Sequence, residues 1–317
     1  MKHAQKKIVI LGGCGYIGTV LSQYLLSKGF YVKVIDRQIY GNFLKQSKNL
    51  HLVNKDIREI NYKDFAGYGY IIHLANIAND PSAELNPSLS WDINVLTTDI
   101  LCKSAIKAKV KKIIFASSGS VYGIKKERNV TEDLELKPIS IYNKTKMIAE
   151  RILLSYKKEI DIVCIRPATV CGFSKRLRLD VSVNMLTYQA YKKNKITVLG
   201  GKQIRPNIHI KDLVRLFHFS IKKKIPGHII NAGFENLSIL NLAKKIQKKI
   251  KCKIIVKKSN DPRSYRLSSN KLEKLGFKRK YNIDYAILEL KNFFESKNFK
   301  DKIDNYNIKK LKKLSFE

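Results

Sequence analysis

The chain has 317 residues, of which 44% are apolar, and its 62 Lys and Arg against 26 Asp and Glu give a formal net charge of +36. This length predicts two lobes or one large α/β unit. No apolar run approaches the roughly 18 residues that a membrane span needs, so we expect no membrane insertion. The five cysteines form no CxxC pair, which argues against a disulfide framework or a metal site and favours a cytoplasmic location.

An excess of positive charge is one signature of nucleic-acid binding. Here the lysines are scattered along the whole chain, for example at 222–224 and throughout 244–253. The sequence shows no aromatic-basic motif for single strands and no helix-turn-helix. We therefore interpret the charge as a solvated Lys-rich surface and expect no nucleic-acid partner. A milder alternative is that the field attracts a small anionic substrate.

Short apolar runs alternate with helical patterns through the first half of the chain. The predicted strands are residues 7–11, 31–36, 51–54, 70–75, 112–118 and 161–167. The predicted helices between them include residues 16–28, 87–108 and 141–157. This repeated β-α-β order predicts an α/β fold of the Rossmann type, a doubly wound parallel sheet that is covered on both faces.

The strict alternation stops after Pro167. The later segments are predicted as a helix at about 179–192, strands at 196–201 and 204–210, and helices near 211–223, 238–250 and 283–296. We expect a Rossmann domain over residues 1–168 and a smaller α/β substrate-binding lobe over 169–317, with the segment of about 205–232 packing back on the first domain. In the basic tail, Ile308, Leu311 and Leu314 are spaced for one helical face.

The stretch GGCGYIG, residues 12–18, lies between the first strand and the first helix. Gly12 permits a tight turn, Gly15 lets backbone amides approach a pyrophosphate, and Gly18 lets the helix pack closely. Asp36 ends the second strand about 20 residues further on and can accept hydrogen bonds from an adenosine ribose. This pattern predicts a dinucleotide site that prefers NAD, although the neighbouring Arg37 weakens the preference over NADP.

Tyr142 and Lys146 are four residues apart, so they share one face of a helix. The spacing alone is weak, because the same Y-x-x-x-K pattern occurs at Tyr24, Tyr122, Tyr188, Tyr191 and Tyr306. Position distinguishes Tyr142, which opens a helix after a core strand that ends in the hydroxyl-rich turn FASSGSVYG. Ligands bind at the carboxyl ends of such strands, so Ser117 and Ser118 are expected beside the cofactor.

The chemistry of this set has a physical reason. A tyrosine has an ordinary pKa near 10, but a nearby ammonium group and a cationic nicotinamide favour its phenolate. We therefore expect a lowered pKa for Tyr142, which would act as a base, while Ser118 orients a substrate hydroxyl.

With these motifs the chain resembles the extended short-chain dehydrogenases/reductases of the nucleotide-sugar epimerase and dehydratase family. The resemblance spans roughly residues 7–295. It rests on GGCGYIG, VID at 34–36, KDI at 55–57, HLA at 73–75, SSGSVYG at 117–123, Tyr142 with Lys146, and RP at 166–167.

The resemblance implies a role for each matching residue. The implied catalytic set is Ser118, Tyr142 and Lys146. The implied contacts to NAD are Gly12, Gly15, Tyr16, Ile17, Gly18, Asp36, Arg37, Asp56, Ile57, Leu74, Ala75, Asn76, Tyr142, Lys146 and Thr169. The implied contacts to a nucleotide-diphosphate sugar are Ser118, Ser120, Arg178, Asn184, Arg205 and Arg263. Helices 87–108 and 141–157 would form a homodimer interface, and Trp91 is expected to anchor the helix that follows it.

The resemblance leaves several reactions open. Family dehydratases carry an Asp-Glu pair directly after the catalytic Ser/Thr, but here those positions are Gly119 and Ser120. The leading hypothesis is therefore an NAD-dependent nucleotide-sugar 4-epimerase that acts through a transient 4-keto sugar and regenerates its cofactor. The alternatives are a nucleotide-sugar C4 dehydrogenase, a ketosugar reductase and a non-catalytic dinucleotide-binding protein, which the Ser-Tyr-Lys set disfavours. His73 and His209 are expected to be structural.

Overall fold

The strands form one large and two small sheets in a computed structural model that describes residues 6–259, 264–296 and 299–314. In chain order the strands are β1 (Lys7–Leu11), β2 (Tyr31–Asp36), β3 (Leu50–Asn54), β4 (Tyr70–His73), β5 (Lys112–Ala116), β6 (Asp161–Pro167), β7 (Thr169–Cys171), β8 (Lys195–Leu199), β9 (Ile204–His209), β10 (Ile229–Ala232), β11 (Glu235–Ser238) and β12 (Lys253–Lys257).

The large sheet has seven strands in the order β10-β6-β5-β4-β1-β2-β3, and every neighbouring pair is parallel. Its central strands are mostly apolar because both faces are covered, as in KIIFA of β5, where all five residues are buried. The order reverses between β1 and β4, which is where such sheets bind ligands. The predicted Rossmann-type fold is confirmed.

The helices cover both faces of this sheet and continue into the second half of the chain. They are α1 (Tyr16–Ser27), α2 (Asp80–Ala83), α3 (Pro87–Trp91), α4 (Thr97–Lys107), α5 (Ile141–Ser155), α6 (Ser182–Lys193), α7 (Ile210–Lys222), α8 (Ile239–Gln247), α9 (Asn270–Lys274), α10 (Ile283–Glu295) and α11 (Asn307–Lys313). Two buried apolar clusters, one for each face of the sheet, form the core of the first half.

The second half builds its own smaller core. Helices α6, α8 and α10 pack around the pair β8 and β12, and β7, β9 and β11 form a three-stranded sheet. Two elements return to the large sheet, because β10 pairs with β6 and α7 packs against α1. The domain boundary near residue 168 stays a prediction.

The predicted helix 87–108 is interrupted. Asn86 caps α3 by accepting a hydrogen bond from the backbone N–H of Leu89, and Pro87 occupies the first turn. A π-helical segment, Asp92–Leu96, then separates α3 from α4. Trp91 is 36% exposed at the end of α3, and the prediction that it anchors the next helix stays a prediction.

The basic tail forms helix α11, which the apolar spacing in the sequence indicated. Leu311 is buried, whereas Leu314 is exposed just beyond the helix. Among the described residues, no helix is both long enough and apolar enough to span a membrane.

Candidate active site

The glycine loop connects β1 to α1 at the reversal point of the large sheet. Gly12 has a φ of +84°, and a Cβ there would lie 2.5 Å from the backbone nitrogen of Ala75. A Cβ on Gly18 would lie 2.2 Å from the Gly12 carbonyl oxygen, so the helix packs directly on the loop. No side chain in the described ranges caps the N-terminus of α1. Its free N–H groups and dipole therefore favour an anion.

Two carboxylates, one at the end of β2 and one just after β3, lie next to this loop. Asp36 accepts hydrogen bonds from the backbone N–H groups of Cys14 at 2.9 Å and Gln38 at 2.6 Å. Asp56 forms paired hydrogen bonds with Arg58 and an ion pair with Arg37 at 3.2 Å. Each Asp36 oxygen keeps a second lone pair, which can accept a ribose hydroxyl.

Two adjacent cavities that share lining residues open at this edge of the sheet. The large cavity has a volume of about 740 Å³ and reaches from the glycine loop to β8 and β9. The small cavity has a volume of about 130 Å³ and is lined by Asp36, Arg37, Asp56 and Ile57. Their combined size suits a dinucleotide together with a second ligand. Each of the fifteen residues predicted to contact NAD lines at least one of the two cavities.

The lining of these cavities fits a dinucleotide on independent grounds. The side-chain amide of Asn76 is buried, lines both cavities and has no hydrogen-bond partner among the described residues. The hydroxyl of Ser117, at the end of β5, is also buried without a partner. Buried polar groups are normally hydrogen-bonded, so these atoms are available to a ligand.

Ser118, Ser120, Tyr142 and Lys146 all line the large cavity. The hydroxyls of Ser118 and Ser120 share a hydrogen bond of 2.7 Å. Because the Ser120 hydroxyl donates to the side-chain oxygen of Asn143, the Ser118 hydroxyl is the donor to Ser120. This arrangement leaves the Ser118 oxygen able to accept a hydrogen bond from a substrate or from a protonated Tyr142.

Lys146 reaches the cavity from the first turns of α5. Its Nζ donates to the carbonyl oxygen of Ala116 at 2.7 Å and lies 5.9 Å from the centre of the Tyr142 ring. The side chain is buried, and burial lowers the pKa of Lys146 to about 7, although the nearby Glu150 acts in the opposite direction.

The protein groups alone do not lower the pKa of Tyr142, so the predicted lowering, which included the charge of a bound nicotinamide, stays a prediction. Burial raises the pKa of Tyr142 to about 12, which outweighs the positive charge of Arg178 and the hydrogen bond to Ser118.

Basic side chains line the other parts of the large cavity. The Nε of Arg178 donates to Asp180 at 2.8 Å, and Arg205 projects from β9. Arg176 lies almost fully buried in the same wall. Burial and the charge of Arg178 lower the pKa of Arg176 to about 10. These guanidinium groups can bind phosphate oxygens.

One residue predicted to bind substrate is not in the cavity wall, and another cannot be placed there because it lies outside the described residues. Asn184 is fully buried, and its amide is bonded to Gly172, Tyr16 and the carbonyl of Arg178. Its side chain joins α6 to the loop after β7, so its predicted contact with a diphosphate is not supported. Arg263 lies outside the described residues.

A buried ion pair joins β6 to α5, the helix that carries Tyr142 and Lys146. Arg166 at the end of β6 forms paired hydrogen bonds with Glu150 of α5 and donates to the Tyr122 hydroxyl at 2.7 Å. His73 is buried in the sheet, and burial lowers its pKa to about 3, so it is neutral. His209 accepts the backbone N–H of Lys211 and contacts Glu289.

Sequence reasoning missed several residues of the two cavities. Tyr40 lines both, and Asn307, Ile308 and Leu311 bring helix α11 to them. The sequence signal for the helix was the apolar spacing of the tail, but nothing indicated where it packs. No pattern in the sequence indicated that Arg176 lines a cavity, because its loop has no periodicity.

The comparison with protein families decides the assignment. The model of the NAD dependent epimerase/dehydratase family matches residues 8–233, which is more than two thirds of the chain. The chain belongs to this family. The matched segment includes the glycine loop, Ser118, Tyr142 and Lys146, and the predicted family and its cofactor, NAD, are confirmed.

Relatives in this family include sugar-nucleotide epimerases. The UDP-glucose 4-epimerase of Lactobacillus helveticus is 27% identical over 339 residues, which cover 93% of this chain and 100% of the relative. The UDP-glucuronic acid 4-epimerase of Bacillus cereus, solved with UDP-glucuronic acid and NAD, is 26% identical, with a TM-score of 0.78 over 91% of this chain and 99% of its own.

An NAD-dependent NDP-hexosamine 5,6-dehydratase involved in tunicamycin biosynthesis shares the same architecture. It is 22% identical, with a TM-score of 0.84 over 92% of this chain and 99% of its own. At this identity the likeness concerns the fold alone, so the reaction has to be argued from the site.

Proposed function

We propose that this chain is an NAD-dependent nucleotide-diphosphate-sugar 4-epimerase that acts through a transient 4-keto sugar. The observation that carries the proposal is that one cavity joins Ser118, Tyr142 and Lys146 to the glycine loop on one side and to Arg178 and Arg205 on the other. A sugar held between the two groups would meet the catalytic hydroxyls while its diphosphate meets guanidinium groups.

Bound NAD would accept a hydride from C4 of the sugar and later return it to the opposite face of the ring. Its cationic nicotinamide would also favour the Tyr142 phenolate, which the protein groups alone do not. The glycine loop and the N-terminus of α1 would hold the pyrophosphate, and Asp36 would hold the adenosine ribose. Asn76 and Ser117, whose buried polar atoms have no partner in the described part of the chain, are further candidates for contact with NAD.

Tyr142 is the proposed base. Its phenolate would take the proton from the C4 hydroxyl as the sugar is oxidised and return it after the second half-reaction. The Ser118 hydroxyl would turn from Ser120 and donate to the oxygen of the same sugar hydroxyl, which leaves the proton of that hydroxyl directed toward Tyr142. Lys146 would hold the nicotinamide ribose hydroxyls while its Nζ stays anchored on the Ala116 carbonyl.

The acidic groups of the large cavity argue for epimerisation over dehydration. Among the described residues, its lining contains only two carboxylates, Asp80 and Asp180. Asp180 is paired with Arg178, and Asp80 accepts a hydrogen bond from the Ser140 hydroxyl at 2.7 Å. No carboxyl group directly follows Ser118 to protonate a leaving hydroxyl, which supports a reaction that transfers only a hydride and a proton.

We also propose a homodimer through helices 87–108 and 141–157. On this part of the surface Trp91, Leu96 and Ile100 are 36%, 60% and 39% exposed. Exposed apolar groups that cluster on one surface are typical of protein interfaces. The five cysteines are all unpaired, which supports a reducing, cytoplasmic location.

The test is to incubate the purified protein with a panel of nucleotide sugars that differ in base and sugar, without adding a cofactor. We expect one pair of C4 epimers to reach equilibrium, as followed by proton NMR. Accumulation of NADH and an oxidised sugar would instead indicate a C4 dehydrogenase. Turnover only of ketosugars, and only with added reduced dinucleotide, would indicate a reductase.

A further inference from the structure

Arg176 is buried in the wall of the large cavity, and it forms no ion pair with a carboxylate of the described residues. It is 2% exposed and lies in the loop between β7 and α6. Its guanidinium stacks on the Tyr40 ring, 3.9 Å from the ring centroid, and its Nη2 donates to the side-chain oxygen of Asn307 at 2.5 Å. Its Nε and Nη1 have no hydrogen-bond partner among the described residues. A buried cation in this state is costly unless an anion joins it.

The position of Arg176 indicates which anion it meets. Its stacking partner Tyr40 lines both cavities, as do Gly12 and Gly15 of the glycine loop. Arg176 therefore lies at the junction of the cavities. A dinucleotide with its adenosine in the small cavity and its nicotinamide in the large one has to place its pyrophosphate at this junction.

Helix α11 crosses the same junction. The Asn307 backbone N–H donates to Asp180 at 3.1 Å, and its side-chain nitrogen donates to the Ala78 carbonyl at 3.3 Å. Ile308 lines the large cavity, and Leu311, one turn later, lines the small cavity. The helix also carries four lysines, so its charge suits an anionic ligand.

We propose that Arg176 binds the pyrophosphate of the bound dinucleotide together with the glycine loop, and that α11, held in place by Asn307, covers the dinucleotide and slows its release. This inference rests on the proposed function, because it requires a dinucleotide in the cleft. Arg176 is a binding residue in this account and takes no part in proton transfer.

The same guanidinium chemistry suits two other phosphate sources. A 2′-phosphate on the adenosine ribose would lie near Asp36, whose negative charge disfavours it. The diphosphate of the sugar nucleotide would lie toward Arg205, at the other end of the large cavity. The pyrophosphate of the dinucleotide is the source that the junction favours, and the other two are outcomes of the test.

The test compares the wild type with Arg176→Met, Arg176→Lys and the control Arg128→Met, an exposed arginine outside both cavities. For each, the exchange rate of bound dinucleotide against labelled NAD and the dissociation constants of NAD, NADP and UDP are measured. We expect Arg176→Met to raise the dissociation constants of NAD and NADP by the same factor, about 10- to 100-fold. The exchange of bound dinucleotide should become faster, while the dissociation constant of UDP should not change. The exchange rate and dissociation constants of Arg176→Lys should lie between those of the wild type and Arg176→Met. Those of Arg128→Met should match the wild type.

Three outcomes would overturn the inference while leaving the proposed function intact. They are unchanged NAD binding in Arg176→Met, a loss confined to NADP, and a loss confined to UDP. A wild type that binds no dinucleotide would instead overturn the proposed function as well.

If Arg176→Met fails to fold, hydrogen exchange on the wild type gives a second test. Addition of NAD should slow amide exchange across residues 307–313. An unchanged exchange rate there would contradict the covering role of α11.

Discussion

The two ends of the large cavity are built in different ways. The dinucleotide end consists largely of backbone, namely the glycine loop and the N-terminus of α1, and it is fixed by paired parallel strands. The sugar end consists largely of side chains, with Arg178 held by Asp180 in a loop and Arg205 on β9, a strand of a small sheet.

This difference indicates that one end binds the dinucleotide in a general way and that the other end selects the sugar nucleotide. A backbone site recognises any dinucleotide through groups that substitutions rarely remove. A site made of long side chains changes with each substitution, so it is the part that selects the sugar nucleotide. Tyr142 and Lys146 stand between the two ends on α5, which is a regular and well-packed helix.

Replacing Tyr142 by Phe should have the largest effect, because it removes the proposed base at the boundary of the two ends. We expect kcat to fall by about 10²- to 10⁴-fold, with dinucleotide retention unchanged. Initial rates of C4 epimerisation by NMR measure the loss. Tyr24→Phe, which has the same Y-x-x-x-K spacing away from both cavities, is the control and should keep full activity. Full activity of Tyr142→Phe would contradict the mechanism.

Replacing Arg205 by Met tests the sugar end alone. Loss of a charge-assisted contact to the diphosphate should raise KM for the sugar nucleotide by about 10- to 100-fold and change kcat little. Steady-state kinetics give the two constants, and the exposed Lys202→Met on the preceding turn serves as the control. If Arg205→Met lost bound NAD and kept its KM, the assignment of the two ends would be wrong.

Replacing Leu96 by Glu tests the proposed dimer face, which lies on the helices that flank the catalytic edge. A charge on this face should shift the sedimenting species from twice 36.5 kDa to 36.5 kDa. The equally apolar but distant Leu314→Glu should remain dimeric. A wild type that sediments as a monomer would rule out the interface.

The smallest expected effect is a pH dependence of stability from Lys146. Burial lowers its pKa to about 7 from an ordinary 10.5, so between these values the unfolded chain binds more protons than the folded chain. The free energy of unfolding should therefore gain a contribution that rises with pH from about 7 to about 10. The difference in Tm between the wild type and Lys146→Met, measured across this range, should show it. A difference that stays constant would mean that Lys146 keeps an ordinary pKa.

The sequence predicted the dinucleotide end because the order of elements determines it. Parallel strands bring their carboxyl ends to one edge, so the residues after β1, β2 and β5 had to meet. The same rule distinguished Tyr142 from the other tyrosines with a lysine four residues later. The pKa of Tyr142 was beyond such reasoning, because burial of the ring depends on the packing of both halves.

The sugar end could be predicted only in part. Arg178 and Arg205 reach the cavity, but Asn184 is used to tie α6 to the loop after β7. Arg176 meets Asn307 across 131 residues of chain, and no local pattern indicates such a contact. Periodicity predicted the tail helix, but its place over the cofactor cleft depends on tertiary contacts alone.

The most direct test of the account follows the hydrogen at C4. The epimerisable sugar nucleotide is prepared with deuterium at C4 and converted by the protein in ordinary water, without added cofactor. The account predicts that the product epimer keeps the deuterium at C4 and that no reduced dinucleotide is released. Replacement of the deuterium by solvent hydrogen, or its loss to free dinucleotide, would contradict an epimerase that removes and returns the same hydride.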